Sequence, residues 1–224
     1  MDALIFDFDG VVIDSEPIHL EGFRRVLDTV GVSLSRDDYY EKYLGSDDHD
    51  CLMEALRAAG RDCSEELIAS LVAKKTRFIQ ETFAGAIQPQ PGAAELIRAA
   101  ADAGIPLAVC SGALRREIVL AARSIGVLDC FGVIVAAEDV DHGKPDPEGY
   151  VKTLSQLSDL LATPLEASRT IVIEDSPAGI QAGKGAGMKV LAVTASYPAE
   201  SLREADRVVD CLTQVDVVDL GRMA

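Results

Sequence analysis

Five short, unbroken apolar runs punctuate the chain, at 3–6, 106–110, 133–136, 170–173 and 189–193, and β-branched residues are frequent in them. Runs of this length with no polar alternation suit strands buried on both faces, as in a parallel sheet. The segments between them carry helical spacing. Residues 93–103 follow Pro91-Gly92 and stop before Gly104, 114–125 stop before Gly126, and 177–186 stop before Gly187. A glycine just past a helix accepts the left-handed backbone that ends it. Strand and helix in alternation predict a doubly wound, Rossmann-like α/β core.

One stretch breaks the alternation. Between the first run and Pro91 no strand is expected, only helical patterns at 17–30, 36–43, 48–59 and 64–83, the last with Ser64 as N-cap and Glu66 in its first turn. The expected organisation is therefore a core of residues 1–14 and 85–224 carrying a small helical cap at 15–84. An insertion after the first strand is placed to cover whatever binds at that strand's carboxyl end.

Ligands of open α/β sheets bind beyond the carboxyl ends of the strands, so the polar residues just past each apolar run are the candidates. They are Asp7, Asp9 and Gly10 after the first, Ser111 and Gly112 after the second, Gly143-Lys144-Pro145-Asp146-Pro147 across a short loop from the third, and Glu174, Asp175 and Ser176-Pro177 after the fourth. Four carboxylates gathered at one sheet edge repel one another unless a hard divalent cation lies between them, and all-oxygen ligands suit magnesium. Such a cation also lets an anionic carboxylate approach an anionic phosphoryl group. A carboxylate nucleophile would form an aspartyl-phosphate. A second carboxyl two residues on could protonate the leaving oxygen and then deprotonate water. Ser111, the N–H of Gly112 and Lys144 would hold the phosphoryl oxygens.

Charge narrows the partners. The net charge of −16 disfavours nucleic acid and anionic membrane surfaces, and it requires concentrated local cation wherever a phosphorylated substrate binds. The five cysteines include no Cys-x-x-Cys pair, which fits reduced thiols in a cytoplasm and neither a disulfide framework nor a zinc site. No apolar run approaches the roughly 20 residues a membrane span needs. A soluble, unprocessed monomer or small homo-oligomer is expected.

Taken in order, Asp7-Phe8-Asp9-Gly10-Val11-Val12, Cys110-Ser111-Gly112-Ala113, Gly143-Lys144-Pro145-Asp146-Pro147 and Ile173-Glu174-Asp175-Ser176-Pro177-Ala178-Gly179 resemble the four motifs of the haloacid dehalogenase superfamily. The branch they resemble holds β-phosphoglucomutase and the phosphoglycolate and sugar-phosphate phosphatases. The resemblance covers residues 1 to about 195. It implies that Asp7 is nucleophile and metal ligand, and that Asp9 is general acid/base with its carbonyl on the metal. Ser111 would bind the phosphoryl group, with Gly112 and Ala113 beside it, and Lys144 would bridge that group to Asp7. Asp175 would complete the magnesium site, with Glu174 ligating directly or through water. Dehalogenases lack the second aspartate, so Asp9 argues against carbon–halogen cleavage.

The same resemblance places His19, Gly45 and Lys75 of the cap toward substrate, and Arg115, which follows Ser111-Gly112-Ala113 closely, could reach a substrate anion. Where the mutase has a lysine and an arginine for a second phosphate, this chain has Leu44 and the acidic pair Asp47-Asp48. The expectation is a magnesium-dependent phosphatase acting on a small phosphorylated metabolite such as a sugar phosphate. A phosphohexomutase and a non-catalytic metal- or phosphoryl-binding regulatory module are the alternatives.

Overall fold

The computed structural model describes residues 1–43 and 47–224, residues 83–86 by their backbone alone. Its strands are β1 (Ala3–Phe6), β2 (Ile13–Asp14), β3 (Gln88–Pro89), β4 (Leu107–Cys110), β5 (Val133–Val135), β6 (Thr170–Glu174), β7 (Lys189–Val193) and β8 (Arg207–Val209). Six of them form a sheet in the order β5-β4-β1-β6-β7-β8, and every pairing in it is parallel. The chain winds outward from β1 in both directions, so β1 lies at the switch point where such sheets leave a crevice.

Side chains alternate across the sheet. Ala3 and Ile5 join Ala108, Val172 and Val190 in one buried cluster. Phe6 points the opposite way and meets the ring of Phe131 edge-on, with centroids 6.0 Å apart. Each fully buried Ile or Phe contributes about 1.5–3 kcal/mol by leaving water, which is why the apolar runs have no polar gaps.

The chain divides into two compact units, Met1–Asp14 with Ile87–Ala224, and Ser15–Ala86. The second unit is helical: α1 (Glu16–Asp28), α2 (Arg36–Asp38), α3 (Asp48–Ala58) and α4 (Glu65–Ala86). The helix expected at 36–43 is α2 followed by a wider π-type turn over Tyr39–Tyr43. Tyr39 and Tyr43 both turn into this unit's core, and the Tyr39 hydroxyl donates to Glu16 at 2.6 Å. The core of the unit is Phe23, Leu27, Leu52, Leu56, Ile68 and Leu71.

The first unit adds α5 (Ala93–Asp102), α6 (Arg115–Ser124), α7 (Glu148–Leu161), α8 (Pro177–Gly185) and α9 (Val217–Gly221). Tyr150 and Leu157 of α7 and Ile180 and Ala182 of α8 belong to the same buried cluster as Ala3 and Ile5. Gly104, Gly126 and Gly187 have φ of 73°, 70° and 78°, the left-handed stops read from the sequence. Helices α7 and α9 and strand β8 were not expected, and the stretch before Pro91 does contain strands, since Ile13 pairs with Pro89 and Asp14 with Gln88. Two-residue strands are too short to show a period.

Within the helical unit Lys75 is 1% exposed, and its ammonium lies 2.5 Å from Asp48 Oδ1. It also lies 3.0 Å from His19 Nδ1 and 4.0 Å from the centroid of Phe23. Its three protons thus have a carboxylate, an imidazole nitrogen and an aromatic face. Burial, and then the Lys75 charge, pull His19 down to about 4, so the ring is neutral and can accept. Asp48→Ala strands this ammonium and is expected to cost about 3 kcal/mol of unfolding free energy in urea melts, at the low end for a broken buried pair because Asp48 is partly hydrated. A loss below about 1 kcal/mol would show that the pair does not hold the helices together.

Candidate active site

Parallel register brings the candidate residues together. Phe6 is paired with Val109 on one side and Ile173 on the other, so the residues that follow, Asp7, Cys110-Ser111 and Glu174-Asp175, emerge side by side at the carboxyl edge. The Asp7 N–H donates to the Ile173 carbonyl at 2.9 Å, and the Ser111 N–H to Val135 at 3.0 Å, which carries the sheet's pattern one residue past the strands. Asp7, Ser111, Glu174 and Asp175 are all buried.

Lys144 reaches this edge from the loop before α7. Its Nζ donates to Asp7 Oδ1 and to Glu174 Oε1, each at 2.6 Å. One oxygen from each of Asp7, Glu174 and Asp175 lies within 4.8 Å of the others. Burial pushes Asp7 up, Lys144 opposes this, and repulsion from Glu174 and Asp175 adds to burial, so the carboxyl sits well above its usual range. Burial raises Asp175 to about 7 against a hydrogen bond from Ser196, with the charges of Glu174 and Asp9 adding to the rise. Burial would also raise Glu174, but Lys144, Ser176 and Tyr150 outweigh it and hold that carboxyl low. Burial works against the Lys144 charge, yet Asp7 and Glu174 raise its pKa well above the usual value.

Glycine makes this density possible. At Gly10, φ is 77° and a Cβ would lie 2.0 Å from Asp175 Oδ2. At Gly179 a Cβ would lie 1.7 Å from Glu174 Oε1. Ser176 caps α8 by accepting from the Gly179 N–H at 3.0 Å, which fixes the turn that follows the two acids.

The other expected residues are distributed as follows. Asp9 is half-buried and bridges Ile13 through its backbone. Ser111 Oγ accepts from the Ala113 N–H at 3.0 Å, which folds the Ser111-Gly112-Ala113 turn. The guanidinium of Arg115 donates to the Ile134 carbonyl at 2.8 Å and to Asp139, which ties it to the loop after β5. His19 and Lys75 belong to the helical unit and bond each other. Gly45 lies outside the described residues. Ser111, Gly112, Lys144, Cys110, Tyr150 and His142 line a cleft of ≈ 430 Å³.

Two contributors were not expected from the sequence. The buried Tyr150 hydroxyl donates to Glu174 Oε1 at 2.9 Å, and Ser196 Oγ donates to Asp175 Oδ2. Ser196 follows β7, so the strand-end rule that selected the other residues also reaches it. Tyr150 carries no such signal.

The donor set fits a divalent cation: it is all carboxylate oxygen, and three carboxylates face one ammonium. This α/β core, with acidic and lysine motifs at the ends of successive strands, marks a hydrolase of the haloacid dehalogenase type. The family model described as "Haloacid dehalogenase-like hydrolase" matches residues 4–193, and the chain belongs to that family. It is 32% identical over 217 residues, 97% of each chain, to a validoxylamine A 7'-phosphate phosphatase of Streptomyces hygroscopicus subsp. limoneus. It is 31% identical to a phosphorylated carbohydrates phosphatase of Thermotoga maritima, over 84% of this chain and 83% of that one. A crystal structure of CbbY from Rhodobacter sphaeroides in complex with phosphate superposes with a TM-score of 0.75 at 28% identity, over 98% of this chain and 99% of that one.

A carboxyl whose folded pKa is raised keeps a proton that the unfolded chain has lost. Its stabilising contribution is therefore present below the unfolded value near 3.8 and is lost as pH rises toward about 7. In chelator-treated protein, unfolding free energies should show wild type losing ground to Asp175→Asn between pH 4 and 7, by at least about 1 kcal/mol. A difference between the two that stays flat across that window would contradict the burial of this charge.

Proposed function

We propose that the chain hydrolyses a small phosphorylated metabolite, a sugar phosphate or a similar hydroxylated compound, by passing the phosphoryl group through Asp7. The observation that carries this reading is the 2.6 Å bridge from Lys144 to Asp7 within a buried acidic cluster. The relatives named as a validoxylamine A 7'-phosphate phosphatase and a phosphorylated carbohydrates phosphatase support it.

In this reading an Asp7 carboxylate oxygen attacks phosphorus while the ester bond to the leaving oxygen breaks, and Asp9 gives that oxygen its proton. The product is an aspartyl-phosphate on Asp7 and a free alcohol. Water, losing its proton to Asp9, then attacks phosphorus; inorganic phosphate leaves and Asp7 is restored. Ser111, the N–H of Gly112 and Lys144 bind the phosphoryl oxygens, with Ala113 closing the turn beside them and Lys144 also holding Asp7 in line. A divalent cation, magnesium by the hardness of the donors, would be held by Asp7, Asp9 and Asp175 with Glu174 adjoining, and would screen the negative charge of nucleophile and phosphoryl group from each other.

Arg115, exposed four residues after Ser111, is assigned in this reading to the remainder of the substrate. The protein would work in a cytoplasm on soluble metabolites. Among the described residues no helix is long and apolar enough to cross a membrane.

Chelator-treated protein should release phosphate from an aryl phosphate only after magnesium is restored, and Asp7→Asn should lower kcat by at least about 10³-fold. Undiminished turnover in that variant would remove Asp7 as nucleophile. Net isomerisation of a sugar phosphate primed by a bisphosphate, with little free phosphate, would identify a phosphohexomutase instead.

A further inference from the structure

We infer that Glu138 is a positioning residue for phosphoryl transfer: from the turn after β5 its carboxylate caps α6 and so fixes the Ser111-Gly112-Ala113 turn. The inference rests on the phosphoryl-binding role proposed above for Ser111 and Gly112, and it names what holds them in place.

Helix α6 starts without a cap of its own. Leu114 has the extended backbone of an N-cap, with φ −72° and ψ 141°, but makes no side-chain cap bond. The first N–H groups of a helix have no partner within it. Glu138, 23 residues further along the chain, serves one of them: the Arg115 N–H donates to its Oε1 and Oε2 at 3.1 and 3.2 Å. A carboxylate at that end also meets the positive pole of the helix. Glu138 thus takes the backbone of Arg115, whereas the guanidinium goes to Ile134 and Asp139, so the two side chains act separately.

This cap is the last of three bonds that hold the turn's own backbone to one neighbouring segment. The Ser111 N–H donates to the Val135 carbonyl, and the Ala137 N–H to the Ala113 carbonyl, each at 3.0 Å. The turn is bonded at its start, at its end and at the first residue of α6, to positions on and just after β5. Two of these bonds join backbone to backbone; the third depends on which side chain stands at 138. Asp139 keeps the accepting segment folded by taking the Ala136 N–H at 2.8 Å.

The turn needs such bonds because nothing packs on its apex. Gly112 is exposed, and a Cβ there would meet no atom within 4 Å. Its N–H is therefore oriented by what fixes the flanking residues. Aim matters for a donor at a reacting group, where a misplacement of about 1 Å can cost about 10²-fold in rate.

Hydrolysis of an aryl phosphate under saturating magnesium, with inorganic phosphate as competing ligand, tests the role. The variants are Glu138→Ala, Glu138→Gln, Leu114→Ser and the double variant Glu138→Ala with Leu114→Ser. Glu138→Ala should lower kcat/KM and raise the inhibition constant of phosphate, each at least about fivefold. Glu138→Gln keeps an acceptor oxygen and should stay within about twofold of wild type. Serine at 114 can cap α6 locally, so the double variant should recover the Tm lost in Glu138→Ala but not its phosphate affinity. Unchanged kinetics in a Glu138→Ala protein of lowered Tm would reduce Glu138 to a helix cap and overturn the inference. A double variant that regains phosphate affinity together with Tm would overturn it equally. If wild type neither hydrolyses the ester nor binds phosphate, the phosphatase reading fails, and the inference with it. Should Glu138→Ala not fold, the double variant measured against Leu114→Ser makes the same comparison.

Discussion

A single ammonium, Lys144, is shared at 2.6 Å between Asp7 and Glu174, and Asp175 is buried beside them. Three carboxylates against one cation leave two negative charges in a place with little water to screen them. Two remedies exist: protons, which the raised pKa values of Asp7 and Asp175 describe, or a divalent cation. Protons would silence a carboxylate nucleophile; a cation keeps it charged. The rest of the edge follows from this constraint. Gly10 and Gly179 give up side chains so that the acids can pack, and the two residues leading into α8, Asp175 and Ser176, supply N–H groups to Glu174.

Much of the core was legible because a parallel sheet writes itself in continuous apolar runs and its ligand edge in whatever polar residues follow them. Asp7, Ser111, Glu174 and Asp175 were found by that rule alone, and Ser196 was open to it. Tyr150 was not, since a tyrosine at helical spacing reads as a core residue, and it is one; only its hydroxyl's partner gives it a further role. Helix α7 was missed although Tyr150, Leu154 and Leu157 have the spacing of a buried face. The pairing of Ile13 with Pro89 and Asp14 with Gln88 depends on two segments more than seventy residues apart, which no local pattern reveals.

Lys75 and Lys144 show the limit of reading charge from sequence. Lys74-Lys75 looks like the polar face of α4, yet Lys75 is enclosed by Asp48, His19 and Phe23. Lys144 sits in a Gly-Lys-Pro loop that could equally face water. Each is held by carboxylates distant in the chain, Lys75 by Asp48 and Lys144 by Asp7 and Glu174. A lysine's destination is set by such partners, and it becomes visible only when topology brings them together.

Thermal unfolding of the chelator-treated protein, followed as magnesium is added back, tests the central claim that this buried charge excess is balanced by a divalent cation. At about one hundred times its dissociation constant, one bound ion adds about 2.7 kcal/mol, which in a chain of this length raises Tm by about 5–10 °C. The rise should fall to about half or less in Asp175→Asn. A wild-type Tm indifferent to magnesium, or an equal rise in the variant, would contradict the account.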